Sequence, residues 1–506
     1  MRIMPLLWMG LVLCTGARAD DEPVHIGSRL ELFVDDALID SRDGVELRIH
    51  HPQPKEVCFV RDEPWEGSGS GYDTVFQDGD IYRMYYKAWE HPANPDTPDS
   101  AKHDVLGAYA ESRDGKVWTK PKLGLWDFRG SKENNLVWMG KGSHDFSAFR
   151  DDNPDCPPEE RYKAVSSGYE SEPKGLMAFK SADGIHWSFL QESPIIPEMK
   201  VGPTSVALKF DTQNVAFWDE MRSEYRAYVR GFEGDVRVVC TATSKDFRTW
   251  SEPVLLDFGD IKAPALYTNQ VKPYYRAPHI FIGFPARYAD RGWSPSMRAL
   301  PLPEHREKRA AISSRYGTTV TDSLLIASRD GEHFKMWMEA FLRPGLRTAD
   351  NWVYGDNYIA WHVVETASDM AHAPRELSIY ATESYWTGNA SYLRRYTLRI
   401  DGFVSAYGPY DGGTLTTKPV IFDGNQLTLN FSSSAAGSVR VEIQDEEGKA
   451  LPGFALADCD EIFGDDLARV VSWKGGSDLS GYSGTVVRFT FEMRDADLYA
   501  YRVGEA

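Results

Sequence analysis

Short runs in which hydrophobic and polar residues alternate, rich in aromatic and β-branched side chains, fill most of the chain. This alternation is typical of β-strands with one buried face. Helical periodicity is nearly absent, and residues 304–311 are the best helical candidate. Five aromatic runs, each followed by a second apolar run, lie at residues 82–86, 161–165, 225–229, 279–283 and 358–362. The pattern therefore predicts an all-β fold.

A short turn pattern recurs after the strands: Ser, any residue, Asp, usually Gly, two residues and an aromatic. Because Asp-Gly suits a tight hairpin turn, these aspartates are predicted to shape turns and to do no chemistry. One turn for each set of strands predicts four-stranded blades, and five strand pairs predict a five-bladed β-propeller over residues 60–410. The aspartates of the four copies are Asp114, Asp183, Asp246 and Asp330.

The pattern changes near residue 411. Strands at 426–431, 439–443 and 486–491 alternate in the same way but are separated by polar turns, without the repeated motif. This predicts a C-terminal β-sandwich over residues 411–506. Residues 20–59 are expected to form a strand segment that packs on the propeller.

The first 19 residues have the order of a signal peptide. Arg2 supplies a positive charge, residues 4–14 are apolar, and Ala17-Arg18-Ala19 has the small residues of a cleavage site. We therefore expect a mature chain that is secreted or periplasmic.

Composition narrows the classes of partner. The net charge of −19 argues against nucleic acid or an anionic membrane surface, because both attract basic proteins. The 15 Trp, 25 Tyr and 24 Phe are expected mostly in the core, and the remainder can stack on sugar rings. Neither C-x-x-C nor H-E-x-x-H occurs, so we predict no metal site and no cofactor. The oligomeric state stays open.

Four cysteines follow the predicted signal peptide. Their spacing names no disulfide connectivity, although an exported protein can pair them. Cys240 lies in an apolar run and is predicted to be a free buried thiol. The four are Cys58, Cys156, Cys240 and Cys459.

Polar residues cluster where the predicted blades open, at residues 71–76, 143–151, 211–215 and 267–270. A five-bladed propeller with a trailing sandwich resembles the glycoside hydrolases of family 32, and the blade openings look like those of family 43. The resemblance implies that Asp73 is the nucleophile or base. It implies that Asp145 tunes the acid and orients the sugar, although Phe149-Arg150-Asp151 is also similar to the Arg-Asp-Pro motif of family 32.

The opening of the third blade departs from the family pattern, which has a glutamate as general acid. This chain has Asp211-Thr212-Gln213-Asn214, and an amide cannot donate the proton. Glycoside cleavage usually needs two carboxyl groups, one protonated and one ionised. The acid is therefore expected to be Asp211, with its pKa raised by burial, or else Glu383 or Glu339.

Amides and arginines supply the candidate substrate-binding groups. Asn214 and Asn269 suit hydroxyl recognition. Arg150, Arg230 and Arg287 each follow an inner strand and can bind an acidic sugar or pair between blades. The sequence thus predicts a glycoside hydrolase; the alternatives are a non-catalytic carbohydrate-binding propeller and a sialidase-like or lyase-like enzyme on acidic glycans.

Overall fold

The computed structural model describes residues 22–92, 94, 97–168 and 173–505. The predicted signal peptide lies outside these residues. The described chain divides into two units, one of residues 48–405 and one that combines residues 22–47 with 406–505. Its secondary structure is almost entirely β, as predicted.

Residues 48–405 form the five sheets of a five-bladed β-propeller, which confirms the prediction. Each blade is antiparallel, and its strands follow one another along the chain except in blade five. The main strands are Gly71–Asp78, Ile81–Ala88, Leu106–Ser112 and Leu136–Met139 in blade one; His144–Arg150, Tyr162–Ser167, Gly175–Ser181 and Ser188–Phe189 in blade two; Val215–Asp219, Glu224–Glu233, Val236–Ser244 and Val254–Leu255 in blade three; Lys272–Tyr274, Ala277–Gly283, Thr319–Ser328 and Phe334–Leu342 in blade four; Val364–Thr366, Glu376–Glu383, Ser391–Leu398 and Gln53–Arg61 in blade five. Short strands at Trp118–Thr119, Ile196–Pro197, Lys200–Val201, Val206–Leu208 and Ala286–Asp290 extend blades one to four.

The repeated turn motif has the structural role that its sequence predicts. In the copy at Ser181, the serine Oγ accepts from the backbone N–H of Gly184 at 2.9 Å. The Asp183 carboxylate accepts from the N–H groups of Ile185 and His186 at 2.8 Å each. The other three copies repeat the aspartate bonds to the two following N–H groups. These aspartates therefore satisfy backbone donors at the blade edges.

Blade five takes its outer strand from the start of the chain. Gln53–Arg61 pairs antiparallel with Ser391–Leu398, from Thr397 opposite Gln53 to Ser391 opposite Arg61. At the inner edge, the N–H of Trp361 donates to the carbonyl of Asp73 at 2.8 Å, which joins blades five and one. Both contacts close the ring and cover strand edges that would otherwise be open.

The N-terminal segment differs from the predicted domain division. Residues 22–47 belong with residues 406–505: Val24–Gly27 pairs parallel with Val420–Phe422, and Ile39–Asp43 pairs with Gly413–Thr417. Alternation alone does not identify the partner of a strand, so the sequence could not separate residues 22–47 from Gln53–Arg61.

The second unit contains two strands of 19 residues, Gln426–Gln444 and Val486–Gly504, which pair along their length. Their inward side chains, with Trp473, form one apolar core. Two of the predicted strands, 426–431 and 439–443, are parts of a single strand whose register shifts between Ser433 and Ser438. The remaining strands of this unit are Glu31–Leu32 and Asp465–Val470. Two further strands, Glu46–Ile49 and Val404–Gly408, contain the positions along the chain at which one unit ends and the other begins.

Blade four carries a helical insertion of Pro295–Arg298, Pro303–Ile312 and Ser314–Thr318. The middle helix confirms the one predicted at 304–311. None of the helices in the described ranges has the length and apolar character needed to cross a bilayer. The four cysteines that lie in the described part of the chain are free thiols, and Cys240 is buried as predicted.

Candidate active site on the propeller axis

Five charged side chains meet where the inner strands of blades one to three begin. The Nζ of Lys87 lies 3.5 Å from a carboxylate oxygen of Asp145. The Nε2 of His144 lies 3.2 Å from Asp145 and 2.8 Å from Asp211, and Arg230 approaches Asp211 at 3.6 Å. We call Lys87, His144, Asp145, Asp211 and Arg230 the axial charge cluster. It alternates cation and anion from blade one to blade three.

The backbone is irregular where the inner strands begin, and this irregularity directs the side chains toward the axis. Asp145 has a φ of 62° and Tyr72 a φ of 55°, in the left-handed region that costs an ordinary residue free energy. The ladder of blade two shifts register between His144 and Ser147, and that of blade one between Gly71 and Thr74. Regular pleating would send successive side chains to opposite faces, whereas these shifts let His144 and Asp145 meet.

Only one carboxylate of the cluster reaches solvent. The side chain of Asp211 is 54% exposed, that of His144 8% and that of Asp145 0%. Burial disfavours the charge on His144, but Asp145 and Asp211 outweigh it and raise its pKa to about 9. Burial also opposes the charge of both aspartates, yet His144 and Lys87 hold the pKa of each below its usual range. At neutral pH the site therefore presents an ionised Asp211 beside an imidazolium.

Five tyrosine rings pack together next to the cluster, and we call them the tyrosine wall: Tyr72, Tyr267, Tyr354, Tyr358 and Tyr385. The Nζ of Lys87 lies 4.1 Å from the ring centroid of Tyr72, and its ammonium donates to the Tyr385 hydroxyl at 3.2 Å. Tyr72 and Tyr267 both contact Tyr358, each with ring centroids 5.5 Å apart. Tyr354 donates to the Tyr267 hydroxyl at 2.8 Å. These rings are buried, so they form an aromatic core beside the cluster.

Several arginines pack against aromatic rings in this region. The guanidinium of Arg237 lies 4.4 Å from the Tyr288 ring centroid, and that of Arg315 lies 4.6 Å from Tyr316. Arg309, on the insertion helix, packs over Trp386 at 5.1 Å, and its buried Nε and one terminal nitrogen have no hydrogen-bond acceptor in the described part of the chain. Three arginines therefore lie against aromatic rings near the axial charge cluster, although the chain as a whole is acidic.

The structure gives Asp73 a different environment from the predicted one. Its side chain is fully buried in an ion pair with Arg61 at 2.5 Å, and it accepts from Thr382 at 3.3 Å. Arg61 also donates to Ser391, so the pair ties the closing strand of blade five to blade one. A carboxylate with both oxygens engaged and no exposed surface cannot contact a sugar, and Asp73 is best described as a buried structural anion.

The other predicted residues divide into two groups. Asp145 and Asp211 come together in the axial charge cluster, but burial does not raise the pKa of Asp211 as expected for an acid, because His144 and Arg230 stabilise its charge. The amides shape loops: Asn214 donates to the carbonyls of Phe210 and Thr212, and Asn269 donates to that of Tyr228. Asp151 is buried in an ion pair with Lys163.

Four predicted side chains lie away from the cluster. Glu383 accepts from Arg394 at 2.7 Å and from Tyr396 at 3.0 Å. Arg287 forms a two-point ion pair with Asp322. Arg150 ends the inner strand of blade two, seven residues long, so it stands roughly 20 Å from His144 at the other end. Glu339, the remaining candidate acid, is half exposed and pairs with Arg343.

His144, Asp145 and Asp211 also have the donor types of a metal site, with ligand atoms within 4.8 Å of one another. These atoms already bond to each other, and Lys87 and Arg230 supply two positive charges beside them. A divalent cation would meet this charge at close range, so the donor set fits a salt-bridged network better than an ion.

Sequence reasoning missed Lys87, His144 and the tyrosines. His144 stands directly before Asp145, and Tyr72 directly before Asp73, so the blade-opening signal that indicated the aspartates also covered these neighbours. Lys87 lies just beyond the aromatic run at 82–86, on the second strand of blade one, where no motif singles it out.

No protein-family model matches the chain, and no curated protein matches it in sequence. Solved structures with a similar fold include a protein described as a glycoside hydrolase, at 14% identity over 68% of this chain and 92% of that one, with a TM-score of 0.43. A GH32 beta-fructofuranosidase of Bombyx mori has 10% identity over 90% and 94%, with a TM-score of 0.39. An N-acetylgalactosamine deacetylase from F. plautii, in complex with blood group B trisaccharide, has 13% identity over 71% and 95%, with a TM-score of 0.40. The likeness concerns the fold.

Proposed function

We propose that this protein is a glycoside hydrolase that cleaves an oligo- or polysaccharide at the axial charge cluster. The observation that carries the proposal is a single solvent-reaching carboxylate, Asp211, which its neighbours keep ionised beside a wall of tyrosine rings. An ionised carboxylate that reaches solvent is one half of the chemistry that glycoside cleavage requires.

Asp211 takes the role of base or nucleophile in this proposal. His144 and Arg230 fix its orientation, and Asp145 with Lys87 holds the imidazolium in place. The second requirement is a group that keeps its proton at neutral pH. Burial raises the pKa of Asp356 well above its usual range, but this carboxyl is as buried as Asp73, and its oxygens accept from the N–H groups of Val353 and Tyr385. We therefore describe Asp356 as a structural group, and the proposal assigns no acid.

The nearby arginines favour acidic glycans as a second form of the same proposal. Arg230, Arg237, Arg309 and Arg315 surround the tyrosine wall, and arginine binds carboxylates through paired donors. A sialidase-like or lyase-like enzyme would use the same cations. We further propose, from the signal-peptide pattern, that the protein acts outside the cytoplasm.

The test is product release by purified residues 20–506 from a panel of neutral and acidic polysaccharides. Asp211→Asn should lower turnover by at least 100-fold while binding remains. Glu133→Gln, an exposed carboxylate paired with Lys122, is the matched control. Asp73→Asn, measured per folded molecule, should keep its turnover because its carboxylate faces Arg61.

Full turnover by Asp211→Asn would refute the assigned carboxylate. Glycan binding with no product from any polymer would replace the hydrolase with a carbohydrate-binding propeller.

A further inference from the structure

A second cavity opens at the far end of the inner strands, away from the axial charge cluster. Its volume is about 590 Å³, within the range of small-molecule binding sites. Phe76 and Arg150, near the ends of the inner strands of blades one and two, line it together with Lys272 of blade four and His362 of blade five. We call it the far-end cavity. None of its lining residues belongs to the axial charge cluster.

Lys272 places a positive charge in this cavity without a counter-ion. No carboxylate stands within ion-pair distance of its ammonium among the residues that the structure describes, and its Nζ lies 5.5 Å from the ring centroid of Trp361. Burial lowers the pKa of Lys272 to about 8, and the more distant Asp152 opposes this only in part. A desolvated cation without a partner gains free energy from any anion that enters.

Two buried polar atoms of the cavity lining also lack partners. Neither Nε2 of His362 nor Oε1 of Gln270 has a hydrogen bond in the described ranges. Burial and the charge of Lys272 hold the pKa of His362 well below its usual range, so its imidazole is neutral. Both residues have positive φ angles, 78° and 45°, a strained backbone that is often found at binding sites. Buried polar groups normally find partners, and a hydroxylated ligand would supply them.

The rim and walls limit the ligand further. Arg150 is 40% exposed and stands 3.6 Å from Asp152 and 3.7 Å from Asp78, too far for strong hydrogen bonds, so its donors can turn to a ligand. Phe76 and Phe284 form apolar walls. The cations of the lining are Lys272, Arg150 and Arg375, and its carboxylates are Asp152 and Glu365. The cations exceed the carboxylates by one, so a ligand with one negative charge matches the lining, whereas a phosphate dianion would bring a second, unneutralised charge.

We propose that the far-end cavity binds a small hydroxylated monocarboxylate of the size of a sugar acid, with the carboxylate on Lys272 and the hydroxyl groups on His362 and Gln270. The proposal does not depend on the function of the axial charge cluster. It assigns a ligand site to the end of the propeller at which Arg150, one of the predicted substrate-binding residues, lies.

The test is titration calorimetry of residues 20–506 with sodium glucuronate, glucose and glucose 6-phosphate. Glucose should bind at least tenfold more weakly than glucuronate, and Lys272→Met should lower the affinity for glucuronate at least tenfold. Arg150→Gln, at the exposed rim, should lower the affinity for glucuronate severalfold, and this variant tests the proposal if Lys272→Met does not fold. Lys132→Met, on the surface, is the matched control, and Asp211→Asn should leave the affinity unchanged.

The affinity should also fall as pH rises through about 8, where Lys272 loses its proton, and this dependence should vanish in Lys272→Met. The charged and titratable groups around Lys272 are Asp152, Arg150, His362, Glu365, Arg375 and Tyr275. Equal binding of glucose and glucuronate, tighter binding of the phosphate, or unchanged affinity in both variants would overturn the proposal. Loss of binding in Asp211→Asn would instead place the ligand at the axial charge cluster.

Discussion

The two ends of the inner strands differ in whether a carboxylate lies near each buried or partly buried cation. In the axial charge cluster each cation faces an anion, and the pKa of His144 rises because its charge is stabilised, although burial still lowers the pKa of Lys87. In the far-end cavity Lys272 has no counter-ion, and its pKa falls because burial acts almost alone. One propeller can therefore hold a self-neutralised polar site and, at its other end, a charge that a ligand must neutralise.

The largest expected effect comes from breaking the paired end. Asp145→Asn removes one anion and leaves Lys87 and His144 buried with Asp211 as their sole carboxylate. Removing one partner of a buried ion pair costs about 3–5 kcal/mol of unfolding free energy. Urea denaturation at pH 7 measures the loss, and a decrease under about 1 kcal/mol would mean that the cluster is far better hydrated than its burial indicates.

Removing the charge at the unpaired end should have the opposite sign. Lys272→Met deletes a desolvated cation and keeps the length of its side chain, so the free energy of unfolding at pH 7 should increase by about 1–3 kcal/mol. The same denaturation experiment without ligand compares it directly with Asp145→Asn. If Lys272→Met and Asp145→Asn destabilise the protein to a similar extent, the proposed difference between the two ends is wrong.

The pH dependence of stability should separate the ends as well. The folded-state pKa of His144, about 9, lies above its usual value of 6.5, so its contribution is complete below pH 6.5 and is lost as pH rises toward 9. Lys272, with its pKa lowered to about 8, makes stability increase between pH 8 and 10.5. Each contribution amounts to about 1–2 kcal/mol after allowance for coupling.

Unfolding curves at intervals from pH 6 to pH 10 measure this contrast. His144→Gln should abolish the decline below pH 9, and Lys272→Met should abolish the increase above pH 8. If the decline in stability persists in His144→Gln, another titrating group causes it.

The smallest effect tests the scaffold common to both ends. Ser181→Ala removes the hydroxyl that accepts from the backbone N–H of Gly184 in the blade-two turn. Loss of this bond should cost about 1 kcal/mol of unfolding free energy. Nuclear magnetic resonance titration of His144 should show an unchanged pKa, since the turn lies at the blade edge; a shifted value would couple the edge to the axis.

The blades could be predicted from sequence because each carries its own local signal. A turn aspartate bonds to N–H groups two and three residues ahead, and alternating strands surround it, so nothing distant is needed. The closing strand Gln53–Arg61 has no such signal, because its partner Ser391–Leu398 lies more than three hundred residues away. The predicted sandwich stays a prediction.

The site was predictable in position and less so in role. Asp145 and Asp211 were found from blade openings, which local sequence reveals. The engagement of Asp73 by Arg61 depends on ring closure, and the ionised state of Asp211 depends on His144 and Arg230, which come from two other strands. Charge state is a property of the assembled neighbourhood, and no short motif encodes it.

Ring closure by the first propeller strand also sets an order of assembly. The bond between Arg61 and Ser391 spans 330 residues. A chain made or threaded from its N-terminus therefore holds Gln53–Arg61 without its partner until nearly the whole propeller has emerged. During that interval the strand presents an open edge to any neighbouring chain, and two copies that exchange it would form a domain-swapped pair.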